Sequence, residues 1–408
     1  MVNVRKNIEE ILRGLTDLPH RGAATAGEAK AADFLEGKLA EAGYETERQT
    51  FRTSLTYIYE VWWMLLPMIG ALLLLPVYPM PAFAVALFSG LSLILYFDWR
   101  RSWVMSMPPQ GLSQNVIARP GGKGKARNKL ILMGHYDSAP VSFLYLPSQV
   151  KNFAASLRFN LFNIAVAVIL AALFAAGIEN ALLNGLRWIY VLYFSAQLVL
   201  SSMDFFRFGY TNGAADNASG AAAASAAFME LSGGLPADWD IELVLTGAEE
   251  VGMRGASHYF RAGKKDWEKE GLSVHLLNFD NVGEGELKII TRTGSIVPVI
   301  YDNSMSRCAV ETAAGEERFS DIGTAEWHTG DFDSLPFARG GIPALTLSAQ
   351  DGEGQIPNLH RPGDVYANVR LDLVEKASEF AVRVCQNLFA PRTSLARNRT
   401  RVLIPGRL

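Results

Sequence analysis

Cysteine is nearly absent from this chain: Cys308 and Cys385 are the only two in 408 residues. Two cannot build a disulfide framework, and neither redox chemistry nor a cysteine zinc site is indicated. Cys385 falls on the apolar face of a predicted helix and reads as a core residue. A surplus of charge is missing as well. The formal net charge is −3, which gives no reason to expect nucleic acid as a partner. A signal-peptide pattern is lacking at the N-terminus, where Ile8, Ile11, Leu12 and Leu15 recur at helical spacing among charged residues. Beyond two apolar hairpins, no internal repeat is evident.

The absence that organises the chain is local. From Val61 to Phe97 there are 37 positions without a charge, and the mean hydropathy is +0.11 although 19% of residues are charged. A membrane-crossing helix needs about 20 apolar residues, so this run is too long for one span and suits two. The break falls at VYPMPA, around Pro79 and Pro81, and Trp62, Trp63 and Trp99 suit an interfacial aromatic belt. A second block follows: Phe159–Ile178, a polar-tipped connection over Glu179–Arg187, then Trp188–Met203. Its second span needs Ala181–Leu186 or a thin bilayer to reach full length. The expectation is four transmembrane helices in two hairpins, over residues 57–99 and 151–206.

The rest reads as a discontinuous α/β domain over 1–56, 100–150 and 207–390, followed by a tail, 391–408, with five arginines and no acids, expected to be disordered. Helices are predicted from Gly27 to Ala42, with Gly43 as C-cap, from Asn217 to Leu231 and from Asp372 to Phe389. Strands are predicted at Tyr44–Arg52, Lys129–Met133, Ile241–Leu245, Val274–Phe279 and Ile342–Leu347.

Acid and imidazole groups cluster where those strands end. Glu249 and Glu250 follow Ile241–Leu245 in TGAEEVGMRG, and two acids just past a buried strand cost free energy unless something positive lies nearby. His135 and Asp137 stand two apart in GHYDS, and in extended backbone such residues point to one side. A carboxylate beside a metal-ligating histidine fixes its tautomer. Asp216 precedes a predicted helix in AADNASG, Asp280 follows a strand in NFDNVGE, and His360 lies in the loop NLHRPGD. Each alone has an ordinary explanation, such as a helix N-cap or a solvated loop. Jointly, His135, Glu250 and Asp280 fall where open α/β sheets place their sites. Two histidines and three carboxylates, with Asp216 shared, would hold two zinc ions through N and O donors. Glu249 is then left over beside a ligand, as a general base requires.

These five motifs, in this order, resemble the zinc exopeptidases of the bacterial leucyl aminopeptidase type, a family that includes glutamate carboxypeptidase and, as a degenerate relative, the transferrin receptor. GGIPALTL, with Phe337 before it, fits that family's late strand. The resemblance implies a three-layer α/β/α domain with a mixed central sheet, here carrying inserted transmembrane hairpins. It implies one zinc on His135, Asp216 and Asp280, another on Asp216, Glu250 and His360, Glu249 as base and Asp137 as the orienter of His135. In DFDSLPF, Ser334 stands where family members often have histidine. The 81 residues from His135 to Asp216 exceed the family's short loop, and the second hairpin fills the difference.

The expected activity is removal of N-terminal residues from peptides. Alternatives are a carboxypeptidase, a dipeptidase or a glutaminyl cyclase on the same fold, and a non-catalytic receptor or scaffold. The expected partners are peptide substrates and a lipid bilayer; the oligomeric state is left open, a homodimer included. Lys and Arg near the spans put the peptidase domain and both termini in the cytoplasm. These are Arg100, Arg101, Lys151, Arg158 and Arg207 on the peptidase side, against Arg187 at the tips. His20, His258, His275 and His328 receive no role.

Overall fold

A computed structural model describes residues 4–97, 103–121 and 126–390. The tail 391–408, Trp99, Arg100 and Arg101 lie outside the described residues. The strands are β1 (Glu45–Ser54), β2 (Gln110–Arg119), β3 (Asn128–His135), β4 (Trp239–Thr246), β5 (Ser273–Phe279), β6 (Glu286–Thr293), β7 (Val299–Ile300), β8 (Gly323–Glu326) and β9 (Ala344–Gln350). They form one sheet ordered β1-β2-β4-β3-β5-β9-β6-β7, with β8 paired to β6. The inner four, β4-β3-β5-β9, are parallel, and β1, β2, β6 and β7 extend the sheet antiparallel.

The helices are α1 (Val4–Thr16), α2 (Ala26–Glu41), α3 (Tyr57–Leu74), α4 (Pro79–Phe97), α5 (Pro147–Val150), α6 (Phe153–Ala175), α7 (Ala181–Phe208), α8 (Ser219–Ser232), α9 (Arg254–Glu270), α10 (Ser304–Gly315), α11 (Leu335–Arg339) and α12 (Leu371–Phe389). Strand alternation explains the layers. Leu130 and Leu132 of β3 face a core shared with α1, α2, α8, α10 and α12, while Ile131 and Met133 face α9 and Phe337. The crossover from β3 to β4 runs through α8, and the return to β5, on β3's other side, runs through α9. Reversing direction along the sheet puts the two helices on opposite faces when both crossovers are right-handed. The crevice opens at β3, where the direction reverses.

Helix α8 begins at Ser219, two residues later than expected, because Asp216 and Asn217 have non-helical backbone angles. Its run of alanines lets it lie close on the sheet. An added Cβ on Gly220 would stand 2.5 Å from the Phe279 carbonyl oxygen and 2.2 Å from Asn217 Oδ1. Only glycine fits there.

Helices α3, α4, α6 and α7 are long and apolar enough to cross a membrane. The second connection is shorter than expected: α7 starts at Ala181, so 181–187 is helical and this span is full length. α3 packs on α4 and α7, and α4 on α6, whereas the backbones of α6 and α7 stand further apart and meet through side chains such as Tyr190 and Asn163 (3.2 Å). Arg187 is not a free tip charge. It donates to the Leu72 carbonyl at the end of α3 (3.1 Å) and to Asn184 (2.9 Å). At the other end, Glu60 of α3 is fully buried, 2.7 Å from the Arg254 guanidinium that opens α9.

Candidate metal centre

The site residues come together at the C-terminal ends of the parallel strands. His135 ends β3, Glu249 and Glu250 follow β4, and Asp280 follows β5; Asp216 precedes α8 and His360 lies in the loop after β9. Asp216 sits between the two imidazoles. His135 Nε2 is 3.3 Å from Asp216 Oδ1 and 3.6 Å from Asp280 Oδ2. His360 Nε2 is 3.3 Å from Asp216 Oδ2 and 3.1 Å from Glu250 Oε2. Glu249 Oε2 lies further out, 4.0 Å from His135 Nε2. Donor atoms of His135, Asp216 and Glu250 all lie within 4.8 Å of one another, so the two groupings share one space.

Backbone contacts hold this arrangement. Asp137 accepts from the amides of Glu249 (3.0 Å) and Glu250 (3.1 Å), fixing both glutamates. Its Oδ1 is also 3.4 Å from His135 Nδ1, at an angle that completes no hydrogen bond. Asn281 Nδ2 bridges Asp216 Oδ1 (3.1 Å) and Asp280 Oδ1 (2.8 Å).

Three supporting residues have no counterpart among those expected from sequence. Glu28, buried in α2, accepts from the amide of Ala248 (3.0 Å), the residue before Glu249. Asp364 accepts from the amides of Ala215 (2.6 Å) and Asp216 (3.2 Å). Arg21, fully buried, donates to the carbonyls of Leu15, Tyr136, Asn212 and Gly213, pinning the chain before Asp216. Ser334 donates to Tyr301 Oη and accepts from Thr346, while its neighbour Asp333 accepts from Thr246 Oγ1. Among the unassigned histidines, His20 stacks on Tyr210, His258 stacks on Phe51, His275 contacts Trp239, and His328 is exposed beside Glu326.

Burial pushes the carboxyls of Glu249 and Asp280 well above the ordinary carboxylate range and raises Glu250. Asp333 and Asp364 are likewise raised to about 7. Burial opposes charge on the histidines, but their acidic neighbours outweigh it. Asp280, Asp137 and Asp216 raise His135 far above the ordinary imidazole value, and Glu250 with Asp216 raises His360 to about 10. Asp216 is held low, against its burial, by those two imidazoles. The protein alone therefore balances this cluster with protons.

The donor set fits zinc. Buried Asp216 Oδ2 and Glu250 Oε1 receive no hydrogen bond, a costly condition unless a cation takes them. Zinc bonds of about 2.0–2.1 Å in a tetrahedron set donors about 3.3 Å apart, close to the separations around Asp216. Such a cation would replace the protons.

Beside the cluster opens a cavity of about 430 Å³. Trp327, Phe332 and Ile356 line one wall, and the Tyr145 ring lies 4.2 Å from that of His360.

The fold recurs in solved structures. A zinc aminopeptidase from Bacillus subtilis superposes with a TM-score of 0.54 at 14% identity, covering 94% of this chain and 95% of that one. The LapA aminopeptidase of Legionella pneumophila gives 0.53 at 14% identity, over 95% and 71%. A glutaminyl cyclase from Fimbriiglobus ruber gives 0.55 at 13% identity, over 94% and 95%. A search of curated protein sequences gives no match. Residues 196–385 match the model of peptidase family M28, a segment holding Asp216, Glu249, Glu250, Asp280 and His360 but not His135 or Asp137. Over that segment the chain is similar to peptidase family M28, and the similarity falls on a sheet whose strand ends gather zinc-type donors.

Proposed function

We propose that this chain is a membrane-embedded dizinc aminopeptidase. The observation that supports it most is the division of Asp216, one oxygen turned to His135 with Asp280 and the other to His360 with Glu250. On this reading those are the two ligand sets, and Glu249, in neither, is the base. Zinc held there supplies Lewis acidity for a carbonyl and lowers the pKa of water from about 15.7 towards 7. Glu249 Oε2 takes a proton from the attacking water and delivers it to the leaving amine nitrogen. Asp137, through the amides of Glu249 and Glu250, keeps base and ligand at a fixed spacing. The acidic wall attracts the ammonium of a free peptide N-terminus.

The peptidase unit is read as 1–56, 100–150 and 207–390, with the hairpins inserted into it. Each hairpin leaves and returns on one side, so this unit lies against one membrane leaflet. Lys151, Arg158 and Arg207 lie on its side and Arg187 at the opposite end, and by the positive-inside rule this charge distribution supports a cytoplasmic active site.

The test is Glu249→Gln in lipid nanodiscs, with leucyl anilide as substrate and zinc counted by mass spectrometry. Turnover should fall by about 10²–10⁴-fold with both zincs retained, whereas His360→Ala should lose one zinc. Substantial turnover in the Gln variant removes Glu249 from the mechanism, and one zinc per wild-type chain removes the dizinc assignment. Cleavage of N-blocked peptides would exclude an aminopeptidase. Conversion of N-terminal glutamine to pyroglutamate without hydrolysis would identify a cyclase.

A further inference from the structure

The cavity beside the metal centre does not stop at the peptidase surface. Leu65 of α3, Leu157 and Ile164 of α6 and Leu200 of α7 line the same space as His135, Glu249 and His360. This arm is lined by all four long helices and runs along the seam of α6 and α7, whose backbones stand apart and meet through side chains. Ile164 lies 11 positions into α6 and Gln197 lies 11 positions before the end of α7. At 1.5 Å per residue the arm therefore reaches about 16 Å along the bundle. Leu200 is 59% exposed on the outer face, so the arm also meets the lipid side.

Four polar side chains of α6 and α7 line this arm, Ser156, Asn160, Gln197 and Ser201, and Asn160 and Gln197 are the deeper pair. Asn160 Oδ1 accepts from Tyr193 Oη (2.5 Å) and from Gln197 Nε2. Asn160 Nδ2 and Gln197 Oε1 make no hydrogen bond among the described residues, so two residues lining the space keep an amide donor group and a carbonyl acceptor unpaired. Polar groups at this depth are costly and mark pathways and binding sites. A plain hydrocarbon chain would leave both unpaired. A peptide backbone brings N–H and C=O groups that themselves require partners away from water.

We infer that the substrate is a hydrophobic peptide whose residues after the scissile bond extend into this arm, between α6 and α7. This rests on the aminopeptidase reading. At about 3.3 Å per extended residue, 16 Å takes about five residues, so positions 2 to 6 are read for apolar character.

The test uses the full chain in nanodiscs and two decapeptides, LALVLAKKKK and LSQSQSKKKK, identical at the first residue and in the lysine tail. Cleavage is measured as kcat/KM and, separately, binding is measured by anisotropy on Glu249→Gln protein. The apolar peptide should exceed the polar one at least tenfold in both. Leu157→Trp and Leu200→Trp, which fill the arm at a buried and an exposed position, should each reduce that ratio at least fivefold. Leu192→Trp, on the lipid face of α7 and outside the cavity, should leave it unchanged. Turnover of the polar peptide by each variant establishes that the site is intact. Equal handling of the two decapeptides by wild type, or an unaltered ratio in both filled variants, overturns the inference. Preferential binding without cleavage of either peptide would retain the arm and refute the aminopeptidase reading instead.

Discussion

The sheet domain and the unit of four long apolar helices spend their apolar residues in opposite ways. In the sheet, alternation sends Leu132 to one core and Met133 to another, and both are fully buried. In the four-helix unit apolar side chains lie all round each helix, and Phe162, Leu182 and Leu192 are exposed. The polar residues differ in the same sense. Those of the sheet domain are held through backbone amides in one constellation with Asp216 Oδ2 and Glu250 Oε1 left without a partner, while Asn160 and Gln197 in the helices bond each other. The lesson is that water shapes one half from outside, and a lipid solvent would shape the other.

That contrast can be tested by substitution. The largest effect on activity is expected from Gly220→Ala, whose new methyl collides with the Phe279 carbonyl and Asn217. Overpacking there should cost about 1–3 kcal/mol and displace Asp216 and Asp280, with activity and bound zinc both nearly lost. Gly185→Ala in α7, where a Cβ meets nothing within 4 Å, should be neutral by both measures. Next, Leu132→Ala should destabilise the sheet domain by about 2–5 kcal/mol, read from denaturant midpoints of detergent-solubilised protein. Withdrawal of detergent is the converse experiment: the intact chain should aggregate on size exclusion, since exposed apolar faces of this length need an amphiphile.

For orientation, single cysteines at Gly185 and Lys269 in a Cys308→Ser, Cys385→Ser background separate the two sides. An impermeant thiol reagent on intact cells should label Gly185→Cys and spare Lys269→Cys; the reverse pattern refutes the cytoplasmic assignment. The smallest effect is expected from Leu192→Ala, which is 68% exposed and should shift stability by less than about 0.5 kcal/mol. A larger loss would mean that this face packs against protein.

Legibility followed the same divide. The four long apolar helices were readable because absence of charge is a one-dimensional signal, and the length of the second connection was misjudged. That His135, Asp216, Glu249, Glu250, Asp280 and His360 meet in one space was legible only from the motifs taken jointly: strand ends mark His135, Glu250 and Asp280, whereas Asp216 and His360 read alone as a helix cap and a loop residue. Glu28, Asp364 and Arg21 were not, since each acts on backbone groups far along the chain. Glu28 meets an amide 220 positions away. β2 and β6 were missed because polar residues interrupt their apolar runs, as in QGLSQNVIAR and ELKIITRT.

The bridge between Arg254 and Glu60 has a practical consequence. Arg254 Nε also holds the Val251 carbonyl (3.0 Å), one residue beyond Glu250. The turn bearing the two glutamates is thus fastened to the first turn of α3. Excising 57–99 to obtain a soluble fragment would remove Glu60, and stripping one partner from a buried ion pair costs about 3–5 kcal/mol. A truncation that begins after Glu60, or one that pairs it with Arg254→Met, keeps that turn seated. Soluble versions of this enzyme therefore need their cut sites chosen by charge rather than by hydropathy.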